Sequence, residues 1–157
     1  MSVQDVVVKQ YWARVDRAAD SLKSVEIPDE GWIRTVRRAM NMSGAALGRL
    51  LGKSRASVSQ SEKNELDGAV TLRTMQSIAD AMGCRFVYAI IPEHSMEDLM
   101  RKHARKVALE IVKRSTEHMA LEDQSLGKEH TQREVKRITE DLIKDMPANF
   151  WDMYEKI

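Results

Sequence analysis

Residues 43–64 constrain the fold more than any other stretch, because they predict two short helices joined by a glycine turn. Ser43 can accept a hydrogen bond from one of the first N–H groups of the first helix. Gly52 ends that helix, where a left-handed residue is usually needed. Ser54 then caps the second helix, and Val58 is the one clear apolar anchor of this helix to a core. Most of the second helix is therefore expected to face solvent.

The outward positions of the second helix carry short, polar or basic side chains, with nothing apolar to bury. These positions are Arg55, Ala56, Ser59 and Gln60. Arginine reads guanine and glutamine reads adenine in the major groove of DNA, so we predict that Arg55 and Gln60 contact bases. The side chains at the helix ends that flank this face are predicted to hold the phosphate backbone. They are Ser43, Lys53, Ser54, Ser57, Lys63 and Asn64.

Two helices with a glycine turn also occur in many all-α proteins that never touch DNA, so spacing alone leaves both interpretations open. The flanking sequence favours the DNA-binding interpretation, since apolar stripes at helical spacing lie on both sides of the motif. The stripes are Trp32, Ile33, Val36 and Met40 before the motif, and Leu72, Met75, Ile78, Ala79 and Met82 after it, on a helix that Thr71 caps and Gly83 closes. Within the motif, the first helix places Leu47, Leu50 and Leu51 on one apolar face. This pattern predicts a phage-repressor-type helix-turn-helix domain. Leu47, Ser54, Val58 and Glu62 fall where that type places its leucine, cap, anchor and glutamate.

The distribution of charge agrees with this interpretation. The 157-residue chain is nearly neutral, with a net charge of +1. Residues 31–82 nevertheless hold eight basic and four acidic side chains, so the candidate domain carries +4. Attraction to DNA phosphates requires such an excess. A solvated basic face would give the same sum, so the charge supports DNA binding without proving it.

The chain is expected to divide into an N-terminal helix (1–30), a DNA-binding domain (31–83) and a C-terminal region (84–157). The N-terminal helix is predicted to be amphipathic from residue 3 to about residue 24. Its stripe comprises Val8, Trp12 (or Tyr11), Val15, Ala19 and Leu22. A minimal repressor domain does not need this helix, which must pack on that domain, on a second subunit or on another protein.

The periodicity changes after Gly83. Residues 84–92 are β-branched and aromatic and end in proline, which predicts one short strand over about 85–91. A lone strand leaves its backbone groups unpaired, so it should pair with a symmetry mate or another segment. The alternative is an extended linker that Phe86 and Tyr88 pin to the core.

Two long helices are predicted in the C-terminal region. The first opens at Ser95, Gly127 separates it from the second, and Pro147 ends the second before an aromatic tail of Phe150, Trp151 and Tyr154. Their apolar stripes are narrow, so the two helices have little to bury against each other and are expected to pack against a partner helix. We therefore predict a two-fold homodimer held by residues after Gly83, or binding of another protein by these helices. The expected fold class is mainly α, with one short strand.

Several classes of function lack support in the sequence. No Gly-rich phosphate loop, zinc-protease motif or catalytic constellation is present, so no enzyme activity, cofactor or metal is expected. The single cysteine, Cys84, rules out an internal disulfide and is expected to be a small buried apolar residue. No membrane span or signal peptide is evident, which favours a cytoplasmic location.

Three separated phrases extend the pattern beyond the helix-turn-helix. They are Gly31-Trp32-Ile33-Arg34-Thr35-Val36-Arg37-Arg38-Ala39-Met40 with Met42-Ser43, then Glu62-Lys63-Asn64-Glu65 with Gly68 and Thr71-Leu72-Arg73-Thr74-Met75, then Cys84-Arg85-Phe86-Val87-Tyr88-Ala89-Ile90-Ile91-Pro92. In this order they resemble the mobile mystery protein A family over about residues 5–112. The resemblance implies a small repressor-type regulator encoded beside a Fic-domain protein, as an antitoxin with its toxin.

The sequence departs from that family at two positions. Gly48 replaces the usual alanine, which is expected to loosen the first helix of the motif by up to about 1 kcal/mol. Ser61 replaces a usual larger apolar residue, so Val58 should be the main anchor of the second helix.

The sequence thus predicts a sequence-specific DNA-binding transcriptional regulator, and the resemblance implies an antitoxin-like repressor of its own operon. Its expected partners are double-stranded DNA and a second copy of the chain, and the resemblance adds a Fic-domain toxin. A toxin-neutralising protein for which DNA binding is secondary is the first alternative. A structural helical module with no role on nucleic acid is the second.

Overall fold

The computed structural model describes residues 3–121 and 127–153, with the side chains of residues 119–121 excluded. The described residues form seven helices and no strand. The helices are α1 (Val3–Leu22), α2 (Trp32–Ala39), α3 (Gly44–Leu51), α4 (Arg55–Leu66), α5 (Leu72–Ala81), α6 (Met96–Leu121) and α7 (Lys128–Asp145). The chain divides into two compact units, one from residues 22–89 and one from residues up to 21 together with those from 90 onward.

The first unit holds α2 to α5 around one small core. Its buried side chains are Ile33, Leu47, Val58, Met75, Ile78 and Met82. The predicted helix starts are confirmed, since Ser43, Ser54 and Thr71 each accept a hydrogen bond from the backbone N–H three residues on, at 3.0–3.1 Å. Gly52 adopts the left-handed conformation at the end of α3, with φ 64°. Local capping chemistry therefore sets where these helices begin and end.

The core takes only part of each predicted stripe. Four side chains assigned to the apolar stripes are exposed instead: Trp32, Met40, Leu50 and Leu72. The helices are short and surround a small core, so residues at the helix ends reach its rim rather than its interior. The expectation of a buried Cys84 is also wrong, because this residue follows the last helix of the unit and is exposed.

The predicted strand over about 85–91 is wrong. Residues 84–92 have no regular secondary structure, because the described part of the chain offers no partner strand for their backbone groups. The linker alternative is half right. Phe86 packs against the core of α2 to α5 and stacks on Tyr88, with ring centroids 5.9 Å apart. Tyr88 itself is 69 % exposed and does not pin the segment.

The second unit is built on an antiparallel pairing of α6 and α7. Buried side chains from both helices form its core, with Trp12 of α1 packed against them. They are Met100, Ala104, Val107, Leu142 and Phe150, with Ala108, Val112 and Val135 farther along. The expectation that these helices have little to bury against each other is therefore wrong, because the chain folds back and supplies the partner helix itself. No helix in the described ranges is long and apolar enough to cross a membrane.

The aromatic tail belongs to this second core. Phe150 is buried, and its carbonyl oxygen lies 2.9 Å from Nε2 of His103. The ring of Trp151 lies against the same imidazole, with centroids 4.4 Å apart. The imidazole is thus a packed and hydrogen-bonded side chain. Tyr154, the third aromatic residue of the predicted tail, lies outside the described residues.

Candidate nucleic-acid interface

The candidate interface is the solvent face of α4. Arg55, Ala56, Ser59 and Gln60 are all exposed along it, as the sequence predicts. Val58 lies on the opposite side, buried against the core of α2 to α5. These four positions hold no large apolar side chain, so their polar groups are available to a polar ligand. The exposed Leu66 lies at the other end of α4.

Glycine at position 48 allows the turn of the motif to pack closely on α3. A Cβ atom placed there would lie 2.6 Å from the carbonyl oxygen of Lys53 and 3.2 Å from the carbonyl carbon of Ser54. Because both neighbours are backbone atoms, they cannot move aside as a flexible side chain would. The expectation that Gly48 merely loosens α3 is therefore incomplete, since the same glycine sets the distance between α3 and the start of α4.

A buried carboxylate attaches α4 to α2. Glu62 is only 6 % exposed. It accepts a hydrogen bond from Nε of Arg37 at 2.8 Å and forms an ion pair with Nε of Arg34 at 3.3 Å. Arg37 also donates to the carbonyl oxygen of Met42, at 2.9 Å. A buried charge is tolerated only when it is paired and hydrogen-bonded, so this cluster holds α4, α2 and the loop before α3 in one arrangement.

A second carboxylate of α4 caps the start of α2. Glu65 accepts hydrogen bonds from the backbone N–H groups of Trp32 and Ile33, at 2.6 and 3.0 Å. These N–H groups have no partner within their own helix, and negative charge is favourable at this end. Gly31 makes the approach possible, because it has φ 81° and a Cβ atom there would lie 2.8 Å from Glu65 Oε2. Glu62 and Glu65 together fix the orientation of the exposed face.

A groove of about 380 Å³ lies beside the exposed face of α4. Arg34, Arg55 and Ser59 contribute to its lining, together with Ser43 and the first residues of α3. Three arginines therefore surround the groove, counting Arg37, and only one carboxylate, Glu62, balances them. Cationic side chains and the N-terminus of a helix both favour an anion here.

Arg34 was missed as a candidate interface residue. Its side chain is 49 % exposed in spite of the ion pair with Glu62. The prediction from sequence was limited to residues of the motif and its ends, and Arg34 precedes the motif. A usable signal was present, because two arginines three residues apart on α2 precede a glutamate on α4 that falls at a characteristic position of the fold.

The side chain of Gln60 is held from within α4. Its Nε2 atom donates to Oδ1 of Asn64 at 2.8 Å. A primary amide has a second N–H group and a carbonyl oxygen, and both remain for another partner. Bidentate recognition of adenine uses one donor and one acceptor, so the bond to Asn64 is compatible with base reading.

The remaining predicted site residues lie around this face. Ser43 and Ser54 cap α3 and α4, Lys53 is exposed in the turn between them, and Lys63 is exposed two turns beyond Arg55. Ser57 is half-buried, and its backbone N–H donates to Ser54. The structure brings Ser43, Arg55 and Ser59 into one groove; Lys63 and Asn64 do not line it. Among the described residues, no group of three or more His, Cys, Asp or Glu side chains could hold a metal ion.

Comparison with known proteins gives one match. The helix-turn-helix family matches residues 33–88, which span α2 to α5 and the segment that follows. No curated protein and no solved structure matches the chain. The match of residues 33–88 to a helix-turn-helix domain supports a DNA-binding transcription regulator.

Proposed function

We propose that this protein is a sequence-specific transcriptional repressor that inserts α4 into the major groove, with Arg55 and Gln60 on base edges. One observation carries the proposal: the exposed positions 55, 56, 59 and 60 of α4 hold no large apolar side chain, while the buried face of the helix is anchored by Val58, Glu62 and Glu65. Pre-organised polar groups on a rigid helix are what direct reading of bases requires.

Phosphate contacts are proposed for the residues around this helix. Ser43, Lys53, Ser54, Ser57, Lys63 and Asn64 are the predicted set, and the groove beside α4 adds Arg34. Each cation that neutralises one phosphate contributes about one unit to the slope of log affinity against log salt. We expect Lys53→Ala and Lys63→Ala each to reduce that slope by about one unit. An unchanged slope in both variants would place these lysines away from DNA.

Selection from a random library of DNA duplexes tests the proposal and identifies the operator in the same experiment. The full chain should enrich a palindrome whose half-sites lie about one helical turn apart, roughly 34 Å. Enrichment of a single unpaired half-site would remove the two-fold part of the proposal. Recovery of no sequence above the starting library would favour the structural helical module with no role on nucleic acid.

The homodimer is proposed to form through the segment after Gly83. Four large apolar side chains there are exposed: Val87, Tyr88, Ile90 and Ile91, with Ile90 at 93 %. Sedimentation of the full chain at tens of micromolar should show a dimer. Ile90→Lys should shift it towards monomer, whereas Ile27→Lys, at another exposed isoleucine, should not.

We also propose that the protein pairs with a Fic-domain toxin, and this more specific proposal rests on the resemblance of the three phrases to the mobile mystery protein A family. Small Fic inhibitors place Ser or Thr four residues before a Glu that is followed by Gly or Asn, and this sequence contains no such segment. Neutralisation would therefore need a different contact. Co-purification with the product of the neighbouring gene, scored beside repression of a reporter, separates a toxin-neutralising protein from a DNA-binding repressor.

A further inference from the structure

The α6–α7 pair carries a second surface, along the seam where the two helices meet. A groove of about 700 Å³ runs between the two helices and shares Leu109, Thr131 and Val135 with an adjoining pocket of about 380 Å³. Leu109 is 46 % exposed here, in the middle of a helix whose other face is fully buried. The groove thus offers an apolar floor that no described part of the second unit covers.

The rim of this groove is basic. Lys102, Arg105 and Lys113 follow one another at helical spacing on α6, and Lys136 faces them from α7. No ion pair joins these four cations to the described residues, whereas Arg101 at one end is bonded to Glu97 and Glu140. Asp98 at the same end accepts a hydrogen bond from Ser95, and Glu117 lies at the other end. The middle of the groove therefore combines an apolar floor with uncompensated positive charge.

We propose that this groove docks an amphipathic helix of another protein, with an apolar ridge on the floor and acidic side chains against the basic rim. From Arg101 to Lys113 the groove extends for about 18 Å along α6, which suits about three turns of a bound helix. A second copy of the chain fits less well. A two-fold interface places a patch against itself, and here it would bring the lysines and Arg105 together. The phosphates of duplex DNA would pair with the cations of the rim, but DNA would leave the apolar floor without a partner.

The partner is unidentified, so the probe is a displayed library of helical peptides of about 16 residues, with free choice at every position. Selection uses the full chain, after depletion on Leu109→Glu. We expect enriched peptides to carry leucine or a similar residue every third and fourth position, flanked by Asp and Glu. Leu109→Glu and Lys136→Glu should each weaken a selected peptide at least about tenfold, the effect of losing a strong interface residue.

The matched control is Arg133→Glu, which reverses an exposed charge of α7 outside the groove and should leave peptide binding unchanged. Circular dichroism and amide exchange of each variant establish that it is folded. Three results would overturn the proposal: no enriched peptide, peptides with basic flanks, or binding that Leu109→Glu leaves intact. Displacement of the peptide by a random duplex would assign the groove to DNA, and loss of the dimer in Leu109→Glu would assign it to a second copy. DNA binding by the helix-turn-helix domain is measured separately and is independent of these outcomes.

Discussion

The helix-turn-helix unit and the unit of α1, α6 and α7 hold their helices in place by different means. In the first, helices of 8–12 residues are joined by the carboxylates of Glu62 and Glu65, and α3, α4 and α5 each start at a Ser or Thr cap. In the second, helices of 18 and 26 residues pack through apolar side chains; Ser95 caps α6, and α7 begins without a side-chain cap. Orientation in the first unit thus depends on a few directional bonds, and in the second on packing spread over several turns.

This difference matters for function because base reading needs an exposed helix held at a fixed angle. Apolar packing on one residue, Val58, could not do this alone, and the two carboxylates supply the directional contacts. A long pair of helices needs no such fixing, and it leaves one side available as a surface. Single substitutions in each unit test this difference.

Loss of the buried carboxylate should have the largest effect. Glu62→Ala leaves Arg37 without its main partner in a nearly closed site, and breaking such a pair costs about 3 kcal/mol. We place the effect at the lower end of the usual range because Arg37 keeps its bond to Met42. Amide exchange should show lower opening free energies in α2 to α5 and little change in α6 and α7. Glu134→Ala, at an exposed ion pair of α7, is the control and should leave the free energy of unfolding unchanged.

Truncation of a packed leucine tests the other unit. Leu142→Ala removes a buried side chain between α6 and α7 and should cost about 2.5 kcal/mol, through lost burial and the cavity left behind. The loss should appear in the amides of α6 and α7. Leu109→Ala, on the exposed side of α6, should cost about 0.5 kcal/mol or less. Equal losses in the two variants would mean that the groove side of α6 is packed as tightly as the core.

Gly48→Ala tests the close approach of α3 to the turn, because close packing and helix propensity predict changes of opposite sign in the free energy of unfolding. Helix propensity alone predicts stabilisation by up to about 1 kcal/mol. The clash with the carbonyl of Lys53 predicts destabilisation of about 1–2 kcal/mol, because rigid backbone must move. Urea denaturation measures the difference. Gly44→Ala in the same helix is the control, since a Cβ atom there would meet only the side chain of Arg55, at an ordinary 3.7 Å, and it should be neutral or slightly stabilising.

Features that depend on contacts between residues close together in the sequence are predicted correctly, and features that depend on distant residues are not. Caps at Ser43, Ser54 and Thr71 and the left-handed Gly52 depend on neighbours within four residues, so the sequence predicts them. The strand failed because pairing depends on a partner that no local pattern reveals. The stripes of α6 and α7 identify buried faces but not the helix they face. Arg34 and Glu65 were missed since their partners lie 28 and 33 residues away along the chain.

The most direct test of the account is whether the exposed face of α4 reads bases. The full chain is titrated with the duplex that it enriches and with a random duplex of equal length, at matched salt. Arg55→Ala and Gln60→Ala should each reduce discrimination between the two duplexes by about 1–3 kcal/mol, with little loss on random DNA. Arg73→Ala, at an exposed arginine of α5, should leave discrimination unchanged. Equal losses on both duplexes for Arg55→Ala and Gln60→Ala would contradict base reading by α4.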